Sequence, residues 1–389
     1  MSTNASTLPL PSALPPIQIN RKPLWIALLL VLAGALYLNQ TVSWRQGALW
    51  IVGALLGVAL YHASFGFTQA WRVFVSDRRG AGLRAQMFML ALGVLLFFPF
   101  LAQGSLFGQP VNGLVSPPGV SVLLGAFLFG IGMQLGGGCA SGTLFAVGGG
   151  NTRMLVTLLF FIVGSVIATA HFGWWSTLPA LAPTSLIKTW GLAPAIIANL
   201  AVFALIAWVA TMLEKRRHGH VISFASRTTR PTSLLQGPWP LIWGGVALVA
   251  LNFATLALAG RPWGITSAFA LWGAKALDAM GGDVATWAYW SKQAALGALA
   301  AASAAGKFAP VWKVPARSLA GAVIGGLLLG YGARLAFGCN IGAYFSGILS
   351  GSLHAWLWLP AAFAGSALGV RLRPLFGLAV EKTPAASSC

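Results

Sequence analysis

Two cysteines at equivalent positions of a repeated glycine-rich motif are the residues of this chain best suited to chemistry. The segment Gly130-Ile-Gly-Met-Gln-Leu-Gly-Gly-Gly-Cys139-Ala-Ser-Gly142-Thr-Leu-Phe145 recurs as Gly330-Tyr-Gly-Ala-Arg-Leu-Ala-Phe-Gly-Cys339-Asn-Ile-Gly342-Ala-Tyr-Phe345. Both fit Gly-x-Gly-x-x-Leu-x-x-Gly-Cys-x-x-Gly-x-x-Phe. Gly138 and Gly338, directly before the thiols, let backbone approach closely and expose amides. A half-helix beginning after each cysteine would aim free N–H groups and a positive dipole end at its surroundings, which favours an anion. A thiol is a soft, weak donor that suits a polarizable sulfur atom better than a hard oxyanion such as sulfate. A buried cysteine also serves as a small apolar packing residue. Recurrence at one motif position argues against that for this pair. Neither motif holds a neighbouring His or acid, and Cys389 stands apart, so no metal, cofactor or disulfide framework is expected.

Polar residues near the motifs extend the candidate binding set. Gln134 and Arg334 each stand five residues before a cysteine, and Asn340 follows Cys339. Polar groups inside apolar runs are costly and therefore informative. A weaker echo pairs Phe65-Gly66-Phe67-Thr68-Gln69-Ala70-Trp71 with Trp263-Gly264-Ile265-Thr266-Ser267-Ala268-Phe269, which adds Gly66 and Gly264. Arg261 and Lys275 flank the second copy, with Asp278 and Asp283 as the nearby acids. Cations in such acid-poor surroundings suit an anionic substrate; the bland alternative is snorkelling to an interface. The Gly-x-Gly opening is no dinucleotide fingerprint, because no acid lies between Asp77 and Glu214 to hold a ribose. His62, His171 and His354 lie at run edges and are expected at an interface.

The elements that must position these residues are membrane helices. The chain has 389 residues, 24 Lys+Arg against 5 Asp+Glu, and a net charge of +19, yet only 7 % of it is charged and 57 % is hydrophobic. A soluble domain carries roughly a quarter charged residues, and a nucleic-acid binder gathers its cations in a polar patch. Both classes are excluded. Bilayer-length runs fall at about 23–40, 47–63, 85–102, 154–172, 190–213, 238–260, 285–302 and 354–370. Shorter ones at about 120–133 and 318–332 lead into the cysteine motifs. Trp174, Trp175, Trp287, Trp290, Trp356 and Trp358 sit near run ends, as interfacial aromatics do.

Loop charges orient the runs. Arg72, Arg78, Arg79 and Arg84 form one basic loop; Lys215, Arg216, Arg217, Arg227 and Arg230 a second; Lys307, Lys313 and Arg317 a third. Arg371, Arg373 and Lys382 make a basic tail. Placing all of these in the cytoplasm puts both termini there. The two cysteine motifs then run in opposite senses. The expected fold is an all-α polytopic membrane protein of two inverted repeats, with short re-entrant or broken helices meeting at the membrane centre. The divisions are a disordered N-terminal tail at 1–22, an extra helix at 23–46 and a first repeat at 47–213. A basic linker at 214–237, the second repeat at 238–370 and a cytoplasmic tail at 371–389 follow.

The two Gly-Cys motifs, with Gly260-Arg-Pro-Trp-Gly-Ile-Thr-Ser-Ala-Phe269, resemble the YeeE/YedE family of sulfur-transport membrane proteins over roughly residues 47 to 370. The resemblance implies a non-enzymatic thiosulfate importer of the bacterial inner membrane, with Cys139 and Cys339 contacting substrate. It also implies a small cytoplasmic sulfur-carrier protein as partner. One departure stands out: where the family pattern has a further cysteine in a Phe-Cys-Phe context, this chain has Gly66. Another sulfur or selenium species as cargo, or a membrane thiol/redox role, are the alternatives.

Overall fold

The computed structural model describes residues 21–63, 66–224, 239–282 and 314–381. The expected run at 285–302, with Trp287, Trp290, Asp283, Lys307 and Lys313, lies outside them. So do residues 1–20, Arg227, Arg230, Lys382 and Cys389.

Helices dominate, because backbone polar groups in hydrocarbon must be satisfied within the chain. In order they are α1 (Arg21–Thr41), α2 (Trp44–Ala63), α3 (Phe67–Asp77) and α4 (Ala81–Gln103). A two-stranded turn, Ser105–Leu106 with Gln109–Pro110, precedes α5 (Val120–Gly136), α6 (Ala140–Gly148) and α7 (Thr152–Ala170). Then follow α8 (Leu192–His218), α9 (Leu241–Ala259), α10 (Thr266–Ala279), α11 (Ala316–Leu335) and α12 (Leu353–Leu372). Among the described residues, eight helical segments are long and apolar enough to cross a membrane, one of them α5 continued through α6.

The centre of the bundle is built from α5, α7, α11 and α12. Here the first glycine of each cysteine motif has a packing role. A Cβ on Gly130 would collide with the Ala362 carbonyl of α12, and one on Gly330 with the Phe161 carbonyl of α7. Small residues let membrane helices meet backbone to backbone. Gly330→Leu is therefore expected to cost about 3 kcal/mol, the upper range for forcing bulk into a packed core. Fluorescence-detected gel filtration of detergent extracts should show most of the monodisperse protein lost; a wild-type profile would contradict the contact.

One end of the bundle is a network of charges. Glu214, wholly buried, accepts hydrogen bonds from Arg84 Nη1 at 2.7 Å and from the Gly80 and Ile222 amides at 3.1 Å each. Arg84 Nη2 also donates to the Ile222 carbonyl at 2.6 Å. Asp77 has Arg217 at 3.7 Å and His218 at 3.9 Å. The tail returns to the same end, where Arg72 grips Glu381 with two hydrogen bonds of 2.6 and 2.7 Å and holds its carboxyl below the usual range. These carboxylates tie α3, α4, α8 and the tail together, a role that loop-charge counting does not reveal.

Candidate functional site

Each cysteine ends a glycine turn and caps the helical segment after it. Gly338 has φ 153°, a conformation that excludes most side chains, and a Cβ there would meet the Ala343 amide. Gly138 is confined instead by Met154 and the Gly142 backbone. The cysteines that follow share one extended conformation, φ −78° and ψ −173° at Cys139, φ −99° and ψ −167° at Cys339. Cys139 Sγ accepts from the Gly142 amide at 3.4 Å and lies 3.3 Å from Ser141 Oγ. Cys339 Sγ accepts from the Ile341 amide at 3.4 Å and opens a wide-wound π-helical stretch, Asn340–Ser346. Both cysteines are free and buried in the same core.

The helices that deliver the cysteines end against cations. At the C-terminus of α5, Arg373 Nη1 donates to the Gln134 carbonyl at 2.6 Å, and Arg153 donates to the carbonyls of Leu135 and Gly136. Cations at a helix C-terminus offset its negative dipole end. At the end of α11, the Arg334 guanidinium stacks over the Phe172 ring, 4.8 Å from its centroid. That is a cation–π contact. Arg334 also lines a cavity of about 240 Å³ with Arg261, Gly264, Thr266, Ser267 and Gly342. Lys275 is exposed on α10. A second cavity, at the charged end, reaches Gly66 at the start of α3.

The structure thus joins Arg334, Gly264 and Gly342, three residues beyond Cys339, at one cavity and places Gly66 at another, while neither cysteine lines either cavity. Gln134 is a buried strut: its Nε2 donates to the Thr68 carbonyl at 3.1 Å and to Ser366 Oγ at 2.7 Å, linking α5, α3 and α12. Asn340 is fully buried, and neither atom of its amide has a hydrogen-bond partner. The expected interfacial His354 is instead buried, its Nδ1 2.5 Å from Ser352 Oγ, because α12 turns that face inward. Trp358 is likewise buried, stacked on Tyr344 with centroids 5.9 Å apart. His62 too is buried, its ring edge-on to Trp239.

Sequence reasoning missed Arg153 and Asn252, and it counts Arg373 only as a tail cation, whereas that residue is buried against the end of α5. Asn252 carried a usable signal, an amide inside an apolar run. It accepts from the Trp263 amide at 2.7 Å and donates to Ser346 Oγ at 3.1 Å, while Ser346 Oγ donates to the Trp263 carbonyl at 2.7 Å. The Gly264 loop is thereby tied to the helix that Cys339 opens. Asn252→Leu should leave the part-buried Trp263 amide unsatisfied, costing about 1 kcal/mol. A thermal-shift measurement on purified protein checks this, and an unchanged Tm would count against the tie.

These features define a class: a polytopic α-helical membrane protein with two cysteine-capped helix breaks in its core. The sulphur transport family model matches residues 62–368, so the chain belongs to that family, the YeeE/YedE group. It is a transport protein and not an enzyme. Relatives include the thiosulfate transporter TsuA of Spirochaeta thermophila, 30% identical over 333 residues, covering 79% of this chain and 92% of that one. TsuA of Escherichia coli is 26% identical over 337 residues, 80% of this chain and 90% of its own. The probable transporter YedE of Escherichia coli is 32% identical over 170 residues, 38% of this chain and 42% of its own.

Proposed function

We propose that this protein imports thiosulfate across a bacterial inner membrane along a path lined by Cys339 and Cys139. The observation that carries the reading is the pair of buried thiols, each capping a helical segment at the same motif position. The terminal sulfur of the dianion passes from one S–H to the next by hydrogen bonding, without a covalent step. A thiolate would repel the dianion, so the thiols act protonated. The cavity bearing Arg261 and Arg334 receives the anion from outside, and the charged end faces the cytoplasm, the side to which this reading assigns both termini. In this arrangement the halves are inverted copies, the organisation of many transporters. The names of the TsuA relatives support thiosulfate as cargo, and a small cytoplasmic sulfur-carrier protein is the partner this reading includes.

The test is uptake of radiolabelled thiosulfate by cells lacking other importers, with and without the protein. Absence of protein-dependent uptake would sink the reading. Gly66, standing where the family pattern has a thiol, favours a second cargo, another sulfur or selenium anion. Competition by sulfite, sulfide and selenium oxyanions distinguishes the two.

A further inference from the structure

The cavity at the charged end, of about 240 Å³, has no part in the thiol path described so far. Its wall includes Gly66 and Gln69 of the α3 start, Arg79, Gln86 of α4, and Ile222. Arg79 is the cation of this wall, and its ion pairs with two carboxylates are long ones. Its Nη1 is 3.6 Å from Glu214 and its Nε 4.0 Å from Asp77, with His220 Nε2 at 3.3 Å. Glu214, by contrast, is already matched at 2.7 Å by Arg84. Three guanidiniums, of Arg79, Arg84 and Arg217, together with His218, meet the carboxylates of Asp77 and Glu214 here, so cationic side chains outnumber acids among these pairs. The hydrogen bonds that Glu214 and Arg84 make to Ile222 fix the opposite wall.

We infer that this cavity is an anion-holding station on the cytoplasmic side, with Arg79 as its binding cation in place of the absent thiol. The inference rests on the import reading for its direction. A small divalent sulfur oxyanion on its way to the cytoplasm meets a guanidinium there, and Asp77 and Glu214 keep the net charge low enough for release. Charge-assisted hydrogen bonds to a guanidinium hold an oxyanion more strongly than neutral ones do.

The experiment uses the full chain in inside-out and right-side-out membrane vesicles, with wild-type protein reporting whether thiosulfate is carried at all. Arg79→Gln should raise the KM for thiosulfate presented to the cytoplasmic face about tenfold, the equivalent of one lost charge-assisted hydrogen bond. The KM at the outer face should stay within about twofold, and Arg79→Lys should restore most of the cytoplasmic affinity. Equal changes at both faces, or none at the cytoplasmic face, would overturn the station. A second measurement does not need transport. Gly66 has φ −92° and ψ 107°, which an L-residue adopts, so Gly66→Cys places a thiol on the cavity wall. Thiosulfate should slow its labelling by a maleimide added to inside-out vesicles, and Arg79→Gln should remove that protection. Labelling indifferent to thiosulfate overturns the station even where wild-type uptake stands.

Discussion

Cys339→Ala and Cys139→Ala should each reduce thiosulfate uptake at least about tenfold, while leaving the protein folded in the membrane. A hydrogen bond to a charged group is worth about 1.5–3 kcal/mol, and 1.4 kcal/mol is a factor of ten. Each thiol lies in the core, so no bulk water replaces the lost partner. The structural cost is small by comparison. Removing one sulfur leaves a void smaller than a leucine-to-alanine change, and the amides of Gly142 and Ile341 retain neighbouring helix turns. Serine is the sharper probe, since it keeps the N-cap and removes only the soft donor. Cys339→Ser that folds and still fails to transport would locate the effect in sulfur itself. Full uptake by both alanine variants would overturn the thiol path.

Glu214→Ala has the second-largest expected effect, this time on stability. Its carboxylate is fully buried and bonded to Arg84 and two backbone amides. Breaking a buried pair by removing one member costs about 3–5 kcal/mol, because the remaining charge is uncompensated. Arg84, itself buried, would be left in that position beside Arg79. A marked fall in Tm and in extractable protein is expected. The double variant Glu214→Leu with Arg84→Met should recover much of it, since an apolar pair of similar volume often replaces a buried ion pair. Failure of the double variant to improve on the single one would show that the amide contacts, not the charge pair, dominate.

The motif cysteines, the membrane class and the polytopic helical fold were legible because each leaves a local mark. Hydropathy marks spans, and a sixteen-residue motif recurring in one chain marks a repeated structural device. What stayed hidden depends on long-range contact. Arg153 and Arg373 look like ordinary loop cations until α5 is seen to end beside them. Glu214 and Arg84 are 130 residues apart, and nothing in their spacing announces the bond. His354 and Trp358 stand near the start of a run, where the sequence alone predicts an interface. That inference treats every run as facing lipid, whereas α12 packs on α5 and α3 and buries that face.

The backbone contacts at Gly130 and Gly330 also set the mechanics of the molecule. They fasten α5 to α12 and α11 to α7 at van der Waals distance, with no side chains between to slide or repack. A carrier that rocks one half against the other needs an interface it can reopen at every cycle, and here backbone meets backbone at both glycines. A transport cycle that keeps these contacts would have to confine displacement to the short pieces, α3, α6, α10 and the π-helical stretch at Asn340–Ser346. Throughput in such a frame would depend on loop motion and little on lateral pressure from the bilayer.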